Sequence, residues 1–146
     1  TADDLNFLMA VNSARIEQFK TARADVRSAQ LRTLFRRMAR ESDEHLAQLR
    51  DLIRQLNGEV ETGTTVSGDL HRVWIDVRSA LSGHDTQAIL AAVQCAEKAT
   101  LGAYDRILGD YRDWPEGVFD QVERQRRTVE ESRQTIQHLQ AMPVPR

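Results

Sequence analysis

Between Leu31 and Leu56, the residues Leu31, Phe35, Met38, Ser42, His45, Leu49, Leu52 and Leu56 recur at alternating spacings of four and three. That period places all eight on one face of a helix. At 1.5 Å per residue the helix runs roughly 40 Å, and so long an apolar face is stable only when partners of similar length cover it. The chain must therefore contain other long helices. The seam is apolar at both ends and polar in its middle, at Ser42 and His45. The functional question turns on that polar middle.

Three further long helices can be read. The first spans about Asp3 to Ala24, capped by Asp3 or Asp4, with Leu5, Met9, Asn12, Ile16 and Phe19 along its seam; Asn12 lies at the seam's centre and Glu17 outside it. A short break near Asp25 to Ala29 makes this helix the antiparallel neighbour of the Leu31–Leu56 helix, which ends at the cap pair Asn57-Gly58. A polar link rich in Thr and Gly then leads to a short helix, Val66 to Leu81, with Val66, Leu70, Val73, Trp74, Val77 and Leu81 as its stripe. Ser82-Gly83-His84-Asp85 stops it and supplies Asp85 as the next N-cap. The third long helix continues to about Tyr111 on a seam of Leu90, Val93, Glu97, Thr100, Tyr104, Ile107 and Tyr111. The fourth starts at Asp113-Trp114-Pro115 and runs to about Ala141. Its seam is Phe119, Val122, Val129 and Ile136, interrupted by Arg126 and Arg133 or their neighbours Gln125 and Ser132.

Two antiparallel hairpins joined by a long connection predict an all-α, ferritin-like antiparallel four-helix bundle, with a crossover containing a short extra helix, as a single domain over 1–146. Composition agrees. Seven Gly, three Pro and 5% aromatic residues suit helices better than sheets. A net charge of −2 supplies no basic field to attract nucleic acid or an anionic membrane. A lone Cys95 excludes an internal disulfide, no apolar run reaches membrane-spanning length, and no basic flank with an apolar stretch opens the chain. The expectation is a soluble, cytoplasmic protein.

The run Asn12-Ser13-Ala14-Arg15-Ile16-Glu17-Gln18-Phe19, the segment Gly68-Asp69-Leu70-His71-Arg72-Val73-Trp74-Ile75-Asp76, and Ile89-Leu90 followed by Glu97 and Tyr104 resemble a bacterial family of ferritin-like four-helix bundles of unknown function. The resemblance covers nearly the whole chain and implies the ferritin-like fold. Ser13 and Gln48 stand where that family's pattern commonly has Asp and Glu.

A ferritin-type di-iron centre needs about four inward carboxylates and a histidine three residues after a glutamate on each of two helices. The sequence does not supply that set. Asn12 holds the slot on the first helix, Glu41, Glu44 and His45 have spacings of four and one, and Arg133 follows Glu130 where a histidine would be wanted. No metal or other cofactor is expected; if iron or manganese binds, the candidate ligands are Glu97, His45, Glu41 and Glu130. The favoured reading is a buried polar layer of Asn12, Ser42, His45 and Glu97, with Arg126 or Arg133 neutralising the carboxylate, since a carboxylate on an apolar face must be paired. That makes the chain a non-enzymatic structural or interaction protein; the alternative is a metal-binding, ferritin-like oxidative or stress-related protein. A protein partner or self-association would use outer faces, where Phe7, Val11 and Leu101 fall outside the seams.

Overall fold

The computed structural model of the chain describes residues 2–62, 68–110 and 114–142, with the backbone alone at Asp69. It is all-helical over those residues: α1 (Ala2–Asp25), α2 (Ala29–Gln55), α3 (Gly68–Ser82), α4 (Thr86–Gly109) and α5 (Val118–Ala141). Val66, Tyr111 and Asp113, which the periodicity assigns to helices or a turn, lie outside the described residues.

Local chemistry accounts for most of the ends. Ser28 caps α2 by accepting from the Leu31 amide at 3.2 Å. The far end of α2 is a Schellman motif: Asn57 takes the left-handed conformation (φ 58°), its amide donates to Arg54 O at 3.0 Å, and the Gly58 amide donates to Ile53 O at 2.8 Å. Asp85 caps α4, accepting from the amides of Gln87 and Ala88 at 3.0 and 3.3 Å. Two ends differ from the sequence reading. Asp3 and Asp4 lie in the first turn of α1 rather than capping it, where their charge still suits the helix dipole. Pro115 precedes α5, which starts three residues later behind Gly117 at φ 92°, a conformation that favours glycine.

Contacting pairs give the topology. Asn12 meets His45 and Phe19 meets Phe35, so α1 and α2 run antiparallel. Arg15 meets Glu97 and Asn12 meets Tyr104, which makes α1 and α4 antiparallel as well. Tyr104 meets Gln125, and Ser132 meets Glu41, closing α4 to α5 and α5 to α2. The four long helices thus form a ring, with α3 docked outside against α4 and α1.

The core has two large apolar parts and a small third one of Val11, Leu70 and Ala103. Of the large parts, one gathers Phe19, Phe35, Trp74, Val77, Leu90, Val93 and Ile136; the other gathers Leu5, Leu8, Leu49, Leu52, Tyr104, Val122 and Val129. Between them lies a polar layer. The outward apolar positions are also covered: Val11 and Leu101 are buried, Leu70 packs with Val11, and Arg106 lies over the Phe7 ring at 4.7 Å. Val11 and Leu101, which the periodicity places outside the seams, are thus buried, and Phe7 is half-buried.

Candidate functional site

On α1 the fully buried side chains are Leu5, Leu8, Asn12, Arg15, Phe19 and Ala22, again at spacings of three and four. This seam differs from the expected one at Leu8, Arg15 and Ala22, and of these Arg15 is the consequential member. Arg15 stands in the bundle's centre with no exposed surface. Its guanidinium grips Glu97 on α4 through two parallel bonds, Nε to Oε1 at 3.0 Å and Nη2 to Oε2 at 2.8 Å. Nη1 donates to Met38 O at 3.2 Å and to Ser42 Oγ at 2.8 Å. Nη2 also lies 3.6 Å from Glu41 Oε1. All three guanidinium nitrogens are engaged, and the Phe19 ring lies beneath at 5.3 Å.

Bidentate geometry of this kind is what a buried ion pair needs to offset desolvation. Burial opposes the charge on Arg15, yet the charge and hydrogen bonds of Glu97 and the charge of Glu41 together outweigh it and raise the arginine's pKa further. Glu41, with 17% of its side chain exposed, forms the layer's outer edge and accepts from Ser132 Oγ at 2.8 and 3.3 Å. Burial raises its pKa, against the charge of Arg15 and the Ser132 bond, which pull it down.

A second network lies one turn away. Asn12 Nδ2 donates to Leu8 O and to Tyr104 Oη, both at 2.9 Å; the tyrosine donates in turn to Gln125 Oε1 at 2.8 Å. Gln125 Nε2 donates to His45 O at 3.2 Å and to Gln48 Oε1 at 2.9 Å. Since the Asn12 amide nitrogen is spent as a donor, its Oδ1 must accept from His45 Nδ1 at 3.2 Å. That fixes the imidazole as the Nδ1–H tautomer. Burial first and the Arg15 charge second lower the His45 pKa to about 3, so the ring is neutral. Burial likewise raises the pKa of Tyr104.

The structure brings together Asn12, Ser42, His45 and Glu97, all buried. Arg126 and Arg133 are not among them. Arg126 bonds Asp105 on the surface, and Arg133 holds Glu130 in a pair at 2.8 and 2.9 Å within α5. The reason is seam geometry: α5 turns Val118, Val122, Gln125, Val129, Ser132 and Ile136 inward, leaving each arginine one position off the buried face. The cation is Arg15 instead. Of the four candidate metal ligands, Glu97 and Glu41 flank that cation, His45 spends Nδ1 on Asn12, and Glu130 is taken by Arg133. Among the described residues no three His, Cys, Asp or Glu side chains gather to hold a metal ion. His71, His84, His138 and Cys95 are exposed, and Trp74 is buried as a packing anchor. No described helix is long and apolar enough to cross a membrane.

No curated protein and no solved structure matches the chain. A family model described as a domain of unknown function, DUF2383, matches residues 1–110, taking in α1 to α4 and the buried Asn12, Arg15, Ser42, His45, Glu97 and Tyr104. The chain that folds around this layer belongs to the DUF2383 family.

Proposed function

We propose that this chain is a ferritin-like bundle with an ion pair at its centre in place of a di-iron site, and that it acts as a cytoplasmic, non-enzymatic structural or interaction protein. The ring of four antiparallel helices, with a long connection through α3 between its two hairpins, supports the ferritin-like assignment. One observation carries the functional reading: the Arg15 guanidinium lies between Glu97 and Glu41 with all three nitrogens engaged. Carboxylates that would coordinate hard cations are here satisfied by a fixed organic cation. A metal there would have to displace Arg15 and leave its charge buried without a partner, which is costly. As a neutralised layer between two apolar clusters, the pair sets the register of α1 against α2 and α4.

The test is Fe(II) and Mn(II) titration of the purified protein beside E97Q, together with the stabilities of R15M and R15M/E97M. We expect no stoichiometric binding by the parent. R15M should lose about 3–5 kcal/mol by stranding Glu97, and the double variant should regain much of that loss. Stoichiometric metal binding that E97Q abolishes would overturn the proposal in favour of a metal-binding, ferritin-like oxidative protein.

A further inference from the structure

Beside the polar layer, α2 and α5 part to form a cleft of about 260 Å³ whose lining side chains are all polar. Its floor includes His45, which is only 5% exposed. Nδ1 of that ring is bonded to Asn12, while Nε2 has no hydrogen-bond partner among the described residues and is not sealed from solvent. In the Nδ1–H tautomer, Nε2 carries a bare lone pair. The cleft therefore holds a rigid, nearly buried acceptor that opens to solvent and can be reached by a donor entering from it.

The two walls differ in charge. The α2 wall carries Glu41 and Glu44 beside the imidazole lone pair, so it is acidic and accepting. The α5 wall carries Arg124, with Gln121 and Thr128, so it is basic and donating. Among the described residues no ion pair engages Glu44 or Arg124, and both are exposed at the rim. A molecule that fits must be small, because the volume falls below that of pockets for drug-sized ligands. It must present N–H donors and positive charge to one wall and a negatively charged acceptor to the other.

We infer that the α2–α5 cleft is a binding site for a small polar zwitterion of the α-amino acid kind, its ammonium set on His45 Nε2 and Glu44 and its carboxylate on Arg124. This goes beyond the structural role of the buried layer: the cleft shares His45 and Glu41 with it, but Arg15 and Glu97 take no part in the contacts.

L-serine is the probe, with ethanolamine and 3-hydroxypropionate as the same molecule lacking its carboxylate or its amine. The readout is NMR titration of the full chain, following backbone amides of α2 and α5 and the imidazole nitrogens of His45. L-serine should shift the His45 Nε2 resonance saturably, and each half-molecule should bind about tenfold or more weakly for want of one charge-assisted contact. R124Q and E44Q alter exposed side chains and should leave the fold intact, and each should weaken L-serine by a similar factor. The inference is overturned if L-serine leaves His45 unmoved, if ethanolamine or 3-hydroxypropionate binds as well as L-serine, or if R124Q binds it like the parent. Because none of these readouts involves metal or the Arg15 pair, failure here leaves the preceding proposal standing, and the reverse also holds.

Discussion

At the residue scale, His45 links burial to pH. Its pKa falls from 6.5 to about 3 on folding, so between those values the unfolded chain binds more protons than the native one. Stability from this group is therefore complete above pH 6.5 and lost as pH falls toward 3, with a slope of up to about 1.4 kcal/mol per pH unit. Glu41 acts in the opposite sense. Its raised pKa makes the native state bind the extra proton above 4.5, so its contribution is lost as pH rises through the folded value. The parent minus H45Q difference isolates the histidine, because glutamine can still donate to Asn12. Urea unfolding across this range should show a shallower acid limb for H45Q; equal slopes would mean that His45 is not held neutral by the fold. Arg15 teaches a different lesson about residues. Its position, three after Asn12 and four before Phe19, fits the seam spacing, but the seam read from the sequence takes Ile16 in its place. Its partner Glu97 is 82 residues away in sequence, so only the docking of α4 on α1 makes a buried arginine favourable.

At the element scale, the ends of α1 and α2 constrain each other. Gly58 follows the Schellman motif, and a β-carbon there would lie 2.8 Å from Ala2 Cβ, 3.1 Å from Ile53 Cγ2 and 3.2 Å from Ile53 O. The strain comes from contact rather than from backbone angle, since Asn57 takes the left-handed turn. G58A should cost about 1–3 kcal/mol, the range for overpacking a close contact. Its check is the urea midpoint, and a G58A protein as stable as the parent would show that the start of α1 can move aside. The Asp85 cap was legible because a cap is a local bond between a side chain and amides two or three residues on. The start of α5 was not, because Pro115 suits a first turn by its own chemistry while the turn before Val118 is completed by Gly117.

For the whole molecule, α1 is the central element. It touches α2, α3 and α4 and buries residues around most of its circumference, including Asn6, Ala10 and Val11 as well as the seam. The short helix α3 makes this complete by covering the side of α1 that the ring leaves open, with Trp74 set edge-on to Phe19 at 5.4 Å and 87°. W74A should therefore cost about 3–5 kcal/mol. Hydrogen exchange should show α3 losing protection before the four long helices; uniform loss throughout would mean that α3 is not a separable cover. The amino-acid sequence by itself determined the all-helical class, the five elements, the ends at Asn57-Gly58 and Asp85, and a polar centre containing Asn12, Ser42, His45 and Glu97. These follow from periodicity and short-range chemistry, which a linear chain displays. Only the tertiary structure decided which cation enters that centre, which of Gln125 or Arg126 and Ser132 or Arg133 faces inward, and that Val11 and Leu101 are covered. A shift of one position turns a helical side chain by about 100°, and the packing of distant helices chooses between such neighbours by comparing whole interfaces.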